Sequence, residues 1–334
     1  MKTIAKIKKQ NGLTLIELMI AITLGSIVTI LLISLFINSK QSYRTQENLS
    51  RLQENGRFAM TFISQDIRMA DYWGCLAPDA ATPNLDNNID NTFFDIVEAG
   101  ASGAILGTNN NADNGDLIED GTDTITLKGA STSSAGAVVM ATMVNSNTPV
   151  TIQNTHSFSQ GQPVLISNCT NGDLFVIINA AASATTLAHG VGASQNTDVA
   201  FRQAYGTAAH VYHLNFARYT IQTSDLGEPA LFRSINNNAA VELVEGVEDM
   251  QILYGEDTDV TKDGIANTYR SVNDVVNMDD VVSVRVSLVV RTLDDNVTTD
   301  NISYTIPGQA TVTPGDRRMR HVFTSTFAIR NRQF

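Results

Sequence analysis

Positive charge, cysteine, tryptophan and proline are all scarce in this chain of 334 residues. Lys and Arg number 22 against 34 Asp and Glu, a net charge of −12 with histidine neutral. That balance argues against a general nucleic-acid coat and against adhesion to an anionic membrane, both of which need a basic field. There are two cysteines, Cys75 and Cys169, and the count alone does not separate buried thiols from a bridge; the compartment decides. Proline is missing from Leu13 to Ala70, so nothing there forces a helix to break. Catalytic spacings are missing too: no G-x-S-x-G, H-E-x-x-H or P-loop pattern occurs. His210 and His213 are closely spaced but lack a third ligand nearby, so the chain does not read as an enzyme.

The apolar share of 43% excludes a disordered polymer and leaves material for one large domain or two ordinary ones. Charge is unevenly placed. Lys128 is the single base between Trp73 and Phe201, whereas the last stretch carries Arg317, Arg318, Arg320, Arg330 and Arg332 against Asp316 alone. These arginines flank a strand pattern, where they read as a solvated face suited to docking an acidic neighbour; contact with nucleic acid is not expected.

The N-terminus sets the compartment. Lys2, Lys6, Lys8 and Lys9 precede an apolar run from Leu13 to Ile37. At about 1.5 Å per residue that run reaches roughly 37 Å, enough to cross a hydrocarbon core of about 30 Å. Lysines stay on the cytoplasmic side, which places the chain beyond Asn38 in the periplasm, the oxidising side. The residues after Ile37 offer no small-x-small cleavage site. Glu17 stands inside the apolar run, where a carboxylate is rarely kept without a partner.

Lys8-Lys9-Gln10-Asn11-Gly12-Leu13-Thr14-Leu15-Ile16-Glu17 resembles the type IV prepilin motif: a basic leader ending in Gly, then an apolar residue, then Glu at the fifth mature position. The resemblance implies cleavage by a prepilin peptidase between Gly12 and Leu13 and N-methylation at Leu13, where the family favours Phe. Cleavage leaves a cationic amine on an apolar helix, and Glu17 can neutralise the amine of a neighbouring subunit, setting register by pairing in a low-dielectric core. Glu17 is thus the assembly residue.

Leu49, Leu52, Ala59, Phe62, Ile63 and Ile67 continue a helical spacing beyond the membrane, with Gly56 as the weak point, costing up to about 1 kcal/mol. Trp73-Gly74 with Pro78 marks the end, and Tyr72 and Trp73 read as core packing there. Major pilins commonly carry a helix-breaking proline in this segment; its absence implies a continuous stalk.

Patches further along the chain narrow the likeness. Arg51-Leu52-Gln53-Glu54-Asn55-Gly56-Arg57-Phe58-Ala59, Asp66-Ile67-Arg68-Met69-Ala70, Pro229-Ala230-Leu231-Phe232-Arg233 and the terminal Val322–Arg332 run look like the PilW family of minor pilins. This implies an α+β type IV pilin-like fold: a long N-terminal transmembrane and stalk helix on an antiparallel sheet, with an enlarged β-rich body. Expected divisions are a leader over 1–12, the helix over 13–72 and a periplasmic body over 73–334, with an insertion over about 77–200. Val282, Val284, Val286, Leu288 and Val290 alternate with polar residues as a half-buried strand, and His321, Phe323, Ser325, Phe327 and Ile329 make another. Asn109 to Asp116 reads as a loop. Cys169 falls in a strand-like stretch, and in an oxidising compartment a Cys75–Cys169 disulfide would pin the body to the helix end.

One loop invites a cation. Asp257, Asp259, Asp263 and Asn267 resemble a degenerate calcium loop, although Lys262 sits inside it and an Asp/Gly-rich turn is the favoured reading. Calcium is the sole cofactor to consider. The functional expectation is a minor pilin of a type IV pilus acting in a priming or tip complex. Its partners would be the prepilin peptidase, other minor pilins, the major pilin and a tip adhesin. It would sit in the inner membrane and then in the pilus at the cell surface. The alternatives are a minor pseudopilin of a type II secretion system and a calcium-dependent surface-binding module at the pilus tip.

Overall fold

The computed structural model describes residues 14–76, 84–89, 103–110, 117–131, 136–153, 157–179, 185–191 and 196–332. Two compact units divide the chain, Met1–Ser50 and Arg51–Phe334, and helix α1 (Leu15–Met69) contributes to both.

In the first unit the helix is apolar and its side chains are exposed, as Leu15, Leu24, Leu31 and Phe36 all are. It is long and apolar enough to cross a membrane. The hydroxyls in this segment are satisfied within the helix: Thr23 donates to Met19 O, Ser26 to Ile22 O, Thr29 to Gly25 O and Ser34 to Ile30 O. A polar side chain that bonds back one turn costs little in lipid, because no donor is left bare.

In the second unit α1 turns amphipathic. Leu52, Gly56, Ala59, Met60, Ile63 and Ile67 are its buried residues, spaced to share one face. Full burial of side chains such as Leu52 or Ile63 is worth about 1.5–3 kcal/mol each. The helix ends earlier than the Trp73-Gly74 signal predicts. Asp71 already adopts a left-handed φ of 62°, and its N–H bonds Lys128 O at 2.9 Å, so a tertiary contact rather than a glycine stops the helix. Pro78 lies outside the described residues.

The larger sheet contains β1 (Leu85–Asn87), β2 (Ile105–Thr108), β3 (Thr124–Ala130), β4 (Ala137–Ala141), β5 (Val150–Ile152), β6 (Pro163–Ser167), β7 (Gly172–Val176), β8 (Thr186–Leu187), β9 (His210–Thr223), β10 (Pro229–Ile235) and β11 (Val241–Glu245). Its spine is β9. The first residues of that long strand pair with β4 and β6, and the remainder pairs with β3 and β10. All of these pairings are antiparallel, whereas β1 joins β7 in parallel. Beyond them come β12 (Val247–Glu256), β13 (Thr268–Arg270), β14 (Val281–Arg291), the small hairpin of β15 (Tyr304–Thr305) and β16 (Thr311–Val312), and β17 (Arg320–Ala328). The second sheet runs β13-β12-β14-β17. The fold is therefore α+β and pilin-like, one long apolar helix with a β-rich body of largely antiparallel sheets.

Among the described residues, two apolar cores result. One gathers the buried face of α1 with residues of β3, β9, β10, β12 and β14, and the other lies among β4 to β7 and the start of β9, with Phe158, Phe201 and Tyr205.

Strand β14 departs from the half-buried reading of its alternation. Ser283 and Ser287, on the polar face, are as buried as the valines. Side chains from neighbouring strands cover them: Tyr269 Oη lies 3.0 Å from Ser283 Oγ, and Thr324 Oγ1 lies 2.9 Å from Ser287 Oγ. Arg285 stacks its guanidinium 3.9 Å over the Tyr269 ring. A central strand flanked by β12 and β17 can bury both faces when its hydroxyls find partners.

Candidate functional site

Gly12 and Leu13, the expected cleavage and methylation residues, lie outside the described residues. Glu17 is described. Its Oε2 accepts from Thr14 N at 3.0 Å and from Thr14 Oγ1 at 2.9 Å, while Glu17 N donates back to Thr14 Oγ1 at 3.3 Å. This is a reciprocal capping box that starts α1. The Thr-x-x-Glu spacing was readable in the sequence, and it gives Glu17 a role within its own chain beside any between chains.

At the far end of α1 the chain passes into the disulfide. Cys75 and Cys169 are bridged. Cys169 sits in the turn between β6 and β7 with a φ of 69°, not within a strand as its apolar neighbours imply. Asn168 holds that turn by accepting from the N–H groups of Thr170 and Asn171. Trp73 is buried, and its Nε1 donates to Asp71 Oδ1 at 2.7 Å.

The chain's last turn reaches the same place. Arg332 Nε donates to Asp71 Oδ2 at 2.5 Å, and its Nη1 bonds the carbonyls of Met278 and Val281. Asn331 Nδ2 donates to Ala70 O at 2.9 Å. Both charged partners are almost fully buried, with side-chain exposures of 6% and 5%. Nothing in the spacing of residues 71 and 332 announces this clamp, because it depends on three-dimensional return of the chain.

Of the terminal arginines, Arg317 and Arg330 are exposed, but Arg318, Arg320 and Arg332 do not form the solvated, partner-seeking face expected of them. Arg320 has a side-chain exposure of 3% and pairs with Glu248 at 2.5 Å and Asp316 at 2.6 Å. Arg318 reaches Glu228 at 3.0 Å, and Arg291 joins Glu228 at 2.7 Å and Glu248 at 3.3 Å. The charges neutralise one another inside the body, tying β12, β14 and β17 to the turn after β9. Hydrogen bonds from Arg320 hold the Asp316 carboxyl down at about 2.

The acidic loop does come together. Ligand-type oxygens of Asp257, Asp259 and Asp263 all lie within 4.8 Å of one another. Asn267 turns its amide nitrogen to them, donating from Nδ2 to Asp259 Oδ2 at 3.3 Å, while its Oδ1 accepts from Thr258 N at 2.7 Å. Asp257 is occupied by the backbone: Oδ1 accepts from Asp259 N, and Oδ2 from Asp263 N and Gly264 N. Desolvation raises its carboxyl, but these three donors outweigh it and leave the group below its ordinary value. Lys262 Nζ lies 3.1 Å from Asp280 Oδ1 and bonds the Asp257 carbonyl, which sets an ammonium beside this loop.

His210 and His213 are three apart on β9 and so point to opposite faces. His213 Nε2 lies 3.0 Å from Ser157 Oγ, and its ring centroid is 4.3 Å from that of Phe158; the His210 ring stacks on Tyr212. They do not converge.

With this geometry in place, two family profiles match the chain. Residues 7–33 match the prokaryotic N-terminal methylation motif, and residues 218–331 match the type IV pilus-assembly protein W family. Together they match a PilW-family type IV minor pilin. The PilW segment runs from the C-terminal part of β9 through the final turn with Asn331, and so contains the arginine network and the second sheet. Neither the curated proteins nor the solved structures contain a match. The PilW match, together with the methylation motif, supports a type IV pilin role. The motif is that of a prepilin peptidase substrate, and the family implies contact with other pilus components. The apolar helix and the methylation motif fit membrane anchoring with a periplasmic body.

Proposed function

We propose that the chain is a minor pilin of a type IV pilus that acts in a priming or tip complex with other minor pilins and the major pilin, with a tip adhesin as a further partner. The leader over 1–12 is removed between Gly12 and Leu13, and the new amine of Leu13 is methylated. Residues 13–72 then serve as membrane and filament helix and 73–334 as the displayed body, which reaches the cell surface with the pilus. The observation that carries this reading is the N-terminal methylation motif heading a 55-residue helix in the same chain as the PilW segment.

Glu17 is the residue whose chemistry assembly uses. Its Oε2 receives both Thr14 bonds, which presents the remaining carboxylate lone pairs to the cationic amine of a neighbouring subunit. In a low-dielectric core such an unpaired amine is costly, so pairing selects one axial register.

The deciding experiment is a clean deletion of the gene, with surface pili counted by electron microscopy and exoprotein secretion assayed in the same strain. Loss of pili with intact secretion is expected. Intact pili with lost secretion would make the protein a minor pseudopilin instead. A Glu17→Ala variant that enters filaments as well as the wild type would refute the pairing role.

A further inference from the structure

Strand β17 closes the second sheet on one side, lying beyond β14 in the order β13-β12-β14-β17. Its inner side is paired along its length: from Ser283↔Ala328 to Arg291↔Arg320 the register runs without a shift. Ile329 N donates to Val282 O at 2.9 Å, so by the two-residue period of a strand the main-chain groups of His321, Phe323, Ser325 and Phe327 face β14. Those of Val322, Thr324, Thr326 and Ala328 face outward, and among the described residues they bond nothing. Side chains agree, since Thr324 Oγ1 meets Ser287 Oγ at 2.9 Å, the close approach of a cross-strand pair that shares no main-chain bond. Thr324 and Thr326 are exposed, and Val322 and Ala328 are half-buried, so water reaches this edge.

Native sheets blunt an open edge with a short strand, a lysine, a proline, a bulge or a covering segment. The opposite edge of this sheet obeys, because β13 has three residues. Strand β17 has nine, RHVFTSTFA, with no lysine, no proline and no bulge. Charge indicates what the edge accepts. From Arg317 to Phe334 the chain holds no acid, although its net charge is −12. Arg318, Arg320 and Arg332 are engaged inside the body. Arg317 and Arg330, one beyond each end of β17, are exposed, and among the described residues their side chains are unpaired. A second copy added antiparallel about Thr324 would bring the Arg317 and Arg330 ends together, and like charges oppose that. An extended segment with acidic residues at its ends meets a cation at each end instead.

We infer that the outer edge of β17 receives an extended, acid-flanked segment of a neighbouring pilin subunit as an added strand. Val322, Thr324, Thr326 and Ala328 supply the main-chain ladder, and Arg317 and Arg330 select the acidic ends. The edge and its charges stand on the structure alone; the pilin source of the segment rests on the function proposed above.

Titration of the full chain in detergent micelles with the capped peptide Glu-Glu-Thr-Val-Thr-Ser-Thr-Val-Thr-Glu-Glu, followed by calorimetry and by amide hydrogen exchange, tests the edge. The same peptide with Lys for Glu is the control; the field of an acidic chain favours it, so a preference for the Glu peptide reports the local arginines. Saturable binding of the Glu peptide is expected, at least about tenfold tighter than that of the control. It should slow exchange at Val322, Thr324, Thr326 and Ala328, whereas His321, Phe323, Ser325 and Phe327, already bonded to β14, should change little. Arg317→Glu combined with Arg330→Glu, both at exposed positions, should reverse the preference. Thr324→Pro removes an outward N–H, which an edge strand tolerates, and should abolish binding while Phe323 and Ser325 keep their slow exchange. No saturable binding, binding without protection of the outward amides, or a preference unmoved by charge reversal overturns the proposal. A benzoylphenylalanine at position 326 in living cells tests the source. Photo-crosslinking to a pilin subunit, lost with Thr324→Pro, supports it, and no such crosslink beside a positive titration overturns the pilin source. The titration reads the edge whether or not the deletion strain loses pili.

Discussion

The aromatic ring of Phe323 on β17 lies directly over Gly56 of α1, so close that a Cβ at position 56 would stand 2.2 Å from Phe323 Cε2. A His321 ring at 4.7 Å, edge to face, flanks Phe323 on its own strand. The glycine that weakens the helix by propensity is thus the residue that admits the strand.

Gly56→Ala reverses the usual gain of a helical glycine-to-alanine change. Instead of stabilising by up to about 1 kcal/mol, it should destabilise by about 1–3 kcal/mol through overpacking. Chemical denaturation of the single variant and of Gly56→Ala with Phe323→Leu checks this, since the smaller partner should recover part of the loss. A more stable single variant would show that the ring yields freely.

The buried Asp71–Arg332 pair closes the body by fastening the chain's last turn to the end of α1. Asp71→Asn retains the left-handed backbone, which asparagine tolerates, while removing the nearer of two carboxylates from the buried guanidinium; Asp279 Oδ1, at 3.9 Å, remains. A loss of about 2–4 kcal/mol is expected. Equilibrium unfolding in urea measures it, and a change below about 1 kcal/mol would mean that Asp279 and the carbonyls of Met278 and Val281 suffice to hold Arg332.

The bridge between Cys75 and Cys169 closes a loop across a separation of 94 residues. In the chain-entropy account its removal by paired Cys→Ser changes costs about 4 kcal/mol, less any strain it relieves. Melting of wild-type and variant protein tests the magnitude. Alkylation under denaturing, non-reducing conditions tests the pairing itself: no thiol should be labelled until a reductant is added.

Acid should loosen the arginine network at a defined place. The folded Asp316 carboxyl titrates at about 2, against 3.8 for the ordinary group. A depressed pKa stabilises the fold above the unfolded value, and that stability is lost as pH falls from about 4 towards 2. With 28% of the side chain exposed and solvent screening allowed for, the contribution is about 1–2 kcal/mol. Wild type should exceed Asp316→Asn in stability at pH 6, and the two should converge near pH 2. A constant gap across that range would place the effect elsewhere.

Legibility in the sequence tracked the range of the interactions involved. The long helix was readable because its causes are local: an unbroken apolar run, no proline and a Thr-x-x-Glu start. The strands at 282–290 and 321–329 were readable from alternation, a property of adjacent residues. Burial of Ser283 and Ser287 was not, because it depends on which strands flank β14 and on Tyr269 and Thr324 reaching across. The setting of the terminal arginines was hidden for the same reason. A run of like charge looks solvated until Glu228 and Glu248, from distant parts of the chain, are folded against it.

By itself, then, the sequence determined the membrane helix, the prepilin motif, the β-rich class of the body and the cysteines available to bridge. Each of these depends on the order of near neighbours or on the compartment to which the N-terminus directs the chain. Only the tertiary structure decided where α1 stops, which distant carboxylates the arginines meet and why residue 56 is glycine. Those outcomes belong to residues far apart in the chain, Asp71 with Arg332, Gly56 with Phe323 and Glu248 with Arg320 among them, for which no local periodicity exists and whose meeting is selected by the packing of the body.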